Sequence, residues 1–286
     1  MSAVEAAKGV RTAVLFTHAI PETEGLRAAL RIAKERGCDL YATPDEAAKH
    51  GDAAAGIEVV EELPRTPDLC LVLGGDGTIL RSLRHFADTP VPVFAVNFGR
   101  IGFLAAVERD ELEEGLARAF SGDFETVTLP GLEIDGVTGP ALNDITFARN
   151  PQGAVAELAY RLGGEEIGHV RCDGLVAATP AGSTGYNLAN GGPILAWGVE
   201  GYSVSFISPH TLTARALVVA PDDVLHVINA GKRDAVDIAL DGVPAGELTP
   251  GADLEVRFRD GLARLAQLEG ATFYTRIRDK FGRLAR

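Results

Sequence analysis

The stretch Leu69-Cys70-Leu71-Val72-Leu73-Gly74-Gly75-Asp76-Gly77-Thr78-Ile79-Leu80-Arg81-Ser82-Leu83 decides the fold. Its first five residues are an apolar run of strand length. Apolar residues at 79, 80, 83, 86 and 87 then recur with helical spacing. The order is strand, glycine turn, helix start. Glycines allow close backbone approach to a ligand and positive φ. A helix start offers unpaired N–H groups and the positive end of a dipole, which suits phosphate. Asp76 is out of place beside bare phosphate. It makes sense where a metal is placed or a hydroxyl proton is accepted, and so points to phosphoryl transfer. The structural alternative is that Asp76 is a turn former or helix N-cap. Three glycines around one Asp at a strand's carboxyl end favour the chemical reading, because ligands of open α/β sheets gather there.

Working outward, the first 120 residues alternate between the two periodicities. Thr12–Phe16, Asp39–Tyr41, Ile57–Val60 and Val91–Val96 read as strands. Residues 22–36, ended by Gly37, and 109–120 read as helices. Alternation of this kind indicates a parallel sheet covered on both faces, an N-terminal Rossmann-like α/β domain. After Gly122 the helical period fades. Thr126–Leu129 precedes a Pro130-Gly131 turn, and Ala156–Leu162 with Gly163-Gly164 looks like a hairpin arm. Strands at 203–207, 217–219, 224–228, 236–240 and 254–258 follow at intervals of roughly ten residues. The expected organisation is an α/β domain over 1–121 and a β-rich, sandwich-like domain over 122–261, with the tail 262–286 packing back on the first.

Bulk properties narrow the classes. Forty acidic against 27 basic residues leave a net charge of −13 over 286 residues. Nucleic acid and anionic membranes are therefore excluded as main partners, while arginines near the motifs leave room for a locally basic pocket. Cys38, Cys70 and Cys172 are odd in number and widely spaced, which suggests neither a disulfide framework nor a zinc site. No apolar run approaches the ~18 residues of a membrane span. MSAVEAAKGVRT lacks the apolar core of a secretory leader, so a cytoplasmic location is expected.

Three further segments make the reading specific. Asn97-Phe98-Gly99-Arg100-Ile101-Gly102-Phe103-Leu104 follows the next parallel strand. Ala141-Leu142-Asn143-Asp144 opens the β-rich half. Arg171-Cys172-Asp173-Gly174 leads to Thr179-Pro180-Ala181-Gly182-Ser183-Thr184-Gly185-Tyr186-Asn187-Leu188-Ala189-Asn190-Gly191-Gly192-Pro193. Hydroxyls and amides there can bind ribose and base edges, and Tyr186 can cover a ring. Read in order, these segments and Ser208-Pro209-His210-Thr211-Leu212 with Arg215-Ala216-Leu217-Val218 resemble the NAD kinase family, from the strand before Gly74 to about Gly242. The glycine pentapeptide alone is shared with lipid kinases and phosphofructokinases; the Thr-Pro-x-Gly-Ser-Thr stretch is far more specific.

The resemblance implies that a phosphoryl group passes from ATP, or another donor, to the 2′-hydroxyl of the adenosine ribose of NAD or NADH. It implies a dinucleotide bound between the two domains and a homodimer or homotetramer. It makes Asp76 the catalytic carboxylate, which orients the hydroxyl, takes its proton or helps place Mg²⁺. Gly74, Gly75, Gly77, Thr78, Arg81 and Asn97 are implied at the donor phosphates and NAD. Asn143, Asp144, Arg171, Asp173, Thr184, Gly185, Tyr186, Asn187, Leu188 and Ala189 are implied to bind NAD, with Arg171 and Asp173 near the nicotinamide half and at a subunit interface. Mg²⁺, or another divalent metal, is expected with the donor phosphates, its protein ligands unassigned. As bare residues, Asn143-Asp144 reads as a turn, Arg81 as a solvated helix arginine, Arg171 with Asp173 as a surface ion pair and Tyr186 as core. His210 beside Pro209 reads as structural.

The chain departs from the family pattern in places. Ala181 stands where Thr is common, Ala189-Asn190 replaces Ser-Ala, and Val243 replaces the Gln that often follows Asp-Gly. The hydroxyl lost at 189 bears on a contact to the bound ribose or phosphate, and Val243 bears on the choice among NAD, NADH and related acceptors; none of the changes touches Asp76 or Asn143-Asp144. Two other classes share features. A diacylglycerol- or sphingosine-type lipid kinase combines a similar turn with a β-rich domain, but predicts an acidic Asn-Gly segment that is missing after the turn here. A non-catalytic NAD(H) sensor keeps the pocket and dispenses with Asp76.

Overall fold

The structure is a computed structural model, and it describes residues 9–18, 23–99 and 102–282. Residue 22 of the first expected helix, Arg100 and Ile101 of the glycine segment, residues 283–286 of the tail and residues 1–8 lie outside the described residues.

In chain order the first half contains β1 (Thr12–Thr17), α1 (Thr23–Arg36), β2 (Asp39–Ala42), α2 (Pro44–Ala48), β3 (Glu58–Val59), β4 (Leu69–Gly74), α3 (Asp76–His85), β5 (Pro92–Asn97), β6 (Val107–Glu108) and α4 (Leu112–Ser121). The second half contains β7 (Glu125–Ile134), β8 (Asp144–Arg149), β9 (Ala156–Leu162), β10 (Glu165–Cys172), β11 (Gly174–Ala178), α5 (Tyr186–Ala189), β12 (Tyr202–Ile207), β13 (Leu217–Val219), β14 (Leu225–Asn229), β15 (Val236–Leu240), β16 (Val243–Leu248), β17 (Asp253–Gln267) and α6 (Phe273–Phe281). Residues 1–128 with 263–286 form one compact unit and 129–262 another. The division falls inside β7, where the change of texture places it at 121/122.

In the first unit the strand order is β3-β2-β1-β4-β5, all parallel, with Arg264 and Leu265 of β17 paired to β5. β4 is buried along its whole length, as expected for a parallel strand covered on both faces. Leu69, Leu71 and Leu73 pack with Leu26, Ile32, Leu116 and Phe120 of α1 and α4. Cys70 turns the other way, toward Ser82 of α3. The helices obey their end rules. α1 carries Glu24 in its first turn and Lys34 and Arg36 in its last, and Gly37 follows at φ +65°. The strand order reverses between β1 and β4, so Gly74–Asp76 emerges at the switch point of an open α/β sheet.

In the second unit β10-β9-β14-β17 and β13-β12-β11-β8-β15-β16 are antiparallel sheets. Their inward residues, among them Leu158, Tyr160, Leu225, Phe147, Leu175 and Val204, form one apolar core. This is the sandwich expected from the strand spacing. Gly163-Gly164 closes the β9–β10 hairpin at φ +57° and +84°, and Asp241-Gly242 closes β15–β16 at +50° and +77°. Two successive positive φ values mark the turn whose twist matches paired strands.

Several expectations need correction. Pro130-Gly131 does not end a strand; β7 runs through it to Ile134. Gly131 serves close packing instead, since a Cβ there would lie 2.4 Å from Leu262 Cδ1 and 2.9 Å from the Ala141 carbonyl. The strand expected at 254–258 continues to Gln267 through Asp260-Gly261. The helix expected over 109–120 begins as a tighter turn over Arg109–Glu111. The three cysteines are buried and unpaired, and burial raises Cys38 to about 12 and Cys172 to about 11. Among the described residues no helix is long and apolar enough to cross a membrane.

Candidate active site

Asp76 does not cap α3. Gly75 holds the cap position, and Asp76 is the first helical residue. Its carboxylate accepts the N–H of Phe103 at 3.0 Å and of Leu104 at 3.3 Å, so the glycine segment after β5 folds back onto the one after β4. Gly102 makes this possible, because a Cβ there would lie 3.1 Å from Asp76 Oδ1 and 3.2 Å from Asn97 Nδ2. Burial raises the proton affinity of Asp76, opposed by the two N–H groups and by the charges of Arg276 and Lys280. The side chain remains partly open to solvent.

The three glycines of the turn have different reasons. None has positive φ. At Gly74 a Cβ would meet Thr78 Oγ1 at 2.7 Å, so Thr78 is buried against the turn. At Gly75 the nearest atom is Gly99 Cα at 3.7 Å, an ordinary contact. At Gly77 a Cβ would meet nothing within 4 Å. The fold does not require glycine at 77, and the helix would be better served by alanine. A backbone left bare there suits close approach of a ligand.

Two implied donor-site residues are committed elsewhere. Arg81 donates to the Thr17 carbonyl at 3.0 Å, pairs with Glu46 Oε1 at 2.6 Å and stands 5.2 Å from the Phe16 ring centroid. Glu46 is buried; burial pushes its carboxyl up, but Lys49, the Thr17 N–H and Arg81 outweigh it and hold it low. Asn97 is buried, donates to Glu108 Oε2 at 2.7 Å and accepts from the Gly99 N–H at 2.9 Å.

A second cluster lies within the second unit. Asp241, at φ +50°, receives the N–H groups of Leu142, Asn143 and Asp144 at 3.0, 2.7 and 3.1 Å. From the other side Thr179 donates its N–H to the Asn143 carbonyl at 2.9 Å and its hydroxyl to the Leu142 carbonyl at 2.6 Å. Gly182 presses on the same turn, where a Cβ would lie 1.9 Å from that Asn143 oxygen. The turn is thus clamped, and the Asn143 Oδ1 atom is buried with no hydrogen-bond partner. Burial and the Asp241 charge raise Asp144 to about 6.

The long polar segment divides in two. Asn187 is fully buried, donating to the Ser183 and Pro193 carbonyls at 3.1 and 2.9 Å and accepting from Ser203 Oγ at 3.0 Å. It is a structural amide. Gly185, Tyr186 and Ala189 are exposed, and Thr184 and Leu188 are half-buried. Tyr186, 44% exposed, is not core. Arg171 and Asp173 do not pair with each other. Asp173 binds Arg149 Nε at 2.6 Å, and Arg171 reaches Glu157 at 3.6 Å.

Residues 30–124 match the ATP-NAD kinase N-terminal domain, and residues 142–267 match the ATP-NAD kinase C-terminal domain. An NAD kinase of Gemmatimonas aurantiaca is 37% identical over 238 residues, covering 80% of this chain and 82% of its own. The chain belongs to the NAD kinase family. The family likeness extends to an NAD kinase of Symbiobacterium thermophilum, 35% identical over 83% of either chain. Two solved structures share the fold. Yeast NADH kinase complexed with NADH superposes with a TM-score of 0.79 at 22% identity, over 96% of this chain and 88% of that one. An NAD kinase from Archaeoglobus fulgidus in complex with ATP gives 0.73 at 24% identity, over 96% and 98%. The family is one of phosphotransferases, in agreement with the Gly-Gly-Asp-Gly-Thr turn.

Sequence reasoning missed four residues of these clusters. Glu46 signals itself only as one acid of a short helix. Asp241 announces a hairpin turn and nothing of its three N–H bonds. Arg276 and Lys280 sit in a tail helix far from any motif.

Proposed function

We propose that this chain transfers a phosphoryl group from ATP, or another phosphoryl donor such as polyphosphate, to the 2′-hydroxyl of the adenosine ribose of NAD or NADH. The observation that carries the reading is the Asp76 carboxylate, fixed by two backbone N–H groups beside the bare backbone of Gly77. A ribose hydroxyl is a weak nucleophile near neutral pH. A carboxylate held in one orientation can align it and take its proton as the bond to phosphorus forms. Burial raises the proton affinity of Asp76, which favours that transfer.

Recognition is assigned to the second unit. Asn143 is part-exposed and its Oδ1 has no partner inside the fold, so that with the side chain turned outward its amide can bind an adenine edge. Asp144 accepts from ribose hydroxyls. Tyr186 offers an exposed ring face for stacking, beside Thr184, Gly185, Leu188 and Ala189. Among the described residues no cluster of three or more His, Cys, Asp or Glu could hold a metal by itself. Mg²⁺ therefore fits as an ion carried on the donor phosphates, where it would neutralise charge. Three buried, unpaired thiols fit a reducing cytoplasm. The exposed Leu212 and Val218 fit a homo-oligomer, to be checked by light scattering on the eluting protein.

The test is a coupled assay on the purified chain with Mg²⁺, comparing NAD with NADH and ATP with polyphosphate. Formation of NADP(H) is the expected result. Binding of NAD without turnover would support a sensor, and phosphorylation of dispersed diacylglycerol but not NAD would support a lipid kinase.

A further inference from the structure

Both family domain matches stop at or before residue 267, so α6 lies beyond them. The segment from Gln267 to Phe281 nevertheless grips both residues that hold Asp76. Phe281 stacks on Phe103, ring centroids 5.3 Å apart. Buried Gln267 donates Nε2 to the Leu104 carbonyl at 3.1 Å, and its Oε1 accepts from Arg276. Phe103 and Leu104 are the N–H donors to the carboxylate. Arg276, half-buried, is close enough to Asp76 and Glu108 to feel both charges. One turn further on, Lys280 bonds Glu108 Oε1 at 3.2 Å, and Glu108 Oε2 accepts from Asn97 at 2.7 Å. Asn97 and Asp76 in turn flank Gly102.

We propose that the C-terminal segment is a positioning element for Asp76, in which Gln267, braced by Arg276, and Phe281 hold the Phe103–Leu104 loop while Arg276 faces the carboxylate with a fixed positive charge. The inference rests on the reading of Asp76 as the group that takes the ribose proton. Among the described residues the charged groups facing Asp76 are Arg276 and Lys280 of α6; Glu108 of β6 faces them from the side and moderates both. Burial alone would keep Asp76 protonated to higher pH, and the two cations counter it. Arg276 touches neither substrate in this scheme. It acts through the carboxylate, so its loss falls on turnover and on the acid limb of the pH profile rather than on acceptor affinity.

The experiment uses the full chain with Arg276→Gln, Arg276→Lys and Gln267→Ala. In Arg276→Gln the acid limb of the kcat profile moves up by about one pH unit. Its kcat at neutral pH falls about tenfold, and the KM for NAD stays within about twofold of wild type. Arg276→Lys restores the limb, and Gln267→Ala lowers kcat with a smaller displacement. The Asp76 carboxyl carbon, assigned by its disappearance in Asp76→Asn, is titrated by NMR without substrate in the same proteins and moves the same way. An unmoved Asp76 titration in folded Arg276→Gln overturns the proposal. So does a loss of kcat that is uniform across pH and not rescued by lysine. Wild-type protein without NAD turnover would instead overturn the kinase reading, and the substrate-free titration would still decide the role of Arg276.

Discussion

The Gly74–Thr78 turn and the Thr179–Asn190 segment both look, as sequence, like ligand-binding loops, yet they are built on opposite plans. The turn is nearly devoid of side chains, and its one carboxylate is held by backbone N–H groups donated from another loop. The longer segment is dense with hydroxyls and amides, and most of them are spent inside the fold. Asn187 satisfies two carbonyls and one hydroxyl, Ser183 bonds Pro180 and Leu195, and Thr179 ties down Leu142. Richness in polar atoms therefore does not measure capacity for a ligand. The informative atoms are those the protein leaves without an internal use, such as Asn143 Oδ1 and the bare backbone at Gly77.

The contrast breaks most sharply at Asp76. Asp76→Asn keeps the outline but gives up one of the two backbone N–H bonds, and it should lower turnover by about a thousandfold, while calorimetry finds NAD affinity nearly unchanged. Retained turnover would make this carboxylate as structural as the Asn187 amide. Asn187→Ala should strand three partners, two of them buried, and cost roughly 3 kcal/mol of stability, read as a lower Tm with KM for NAD unchanged. A raised KM at unchanged Tm would move Asn187 into the ligand site. Asn143→Ala should do the reverse, raising KM for NAD about tenfold, or roughly 1.4 kcal/mol, with little effect on Tm.

The pH dependence of stability sharpens the comparison further. Asp144 is raised to about 6 from an ordinary value of 3.8. Between those values the folded chain holds a proton that the unfolded chain has lost, so stability declines as pH rises through this window. Asp144→Asn mimics the protonated form. Its Tm without ligand should match wild type in acid and exceed it at neutral pH, and equal Tm values at both would show that burial does not perturb Asp144. The smallest effect is expected from Gly77→Ala. Stability should hold or rise by up to about 1 kcal/mol, while turnover drops because a methyl group occupies the ligand's approach. Full activity would mean that nothing comes close there.

Much of this was legible in the chain because the signals are local. A parallel strand, a glycine turn and an amphipathic helix follow from residues 69–87 alone, and Gly163-Gly164 and Asp241-Gly242 each specify their own turn. What escaped is tertiary. Arg81 has the spacing of a phosphate ligand, but it is turned aside by Glu46, whose position depends on α2 packing beside β1. Pro130-Gly131 reads as a stop, yet β7 runs on through it and pairs with β17, and Gly131 is dictated by Leu262 some 130 residues on. Arg276 carries no motif at all. Only the return of β17 to the first sheet brings its helix to Asp76.

The three thiols, all enclosed and two of them raised to about 11 and 12, are almost wholly in the neutral form at ordinary pH. A maleimide reagent should thus find the native surface silent. A single cysteine introduced at an exposed position such as Tyr274→Cys on α6 would take up a dye alone, with no need to strip the natural sulfur atoms first. The tail helix can then be watched by fluorescence while the protein turns over.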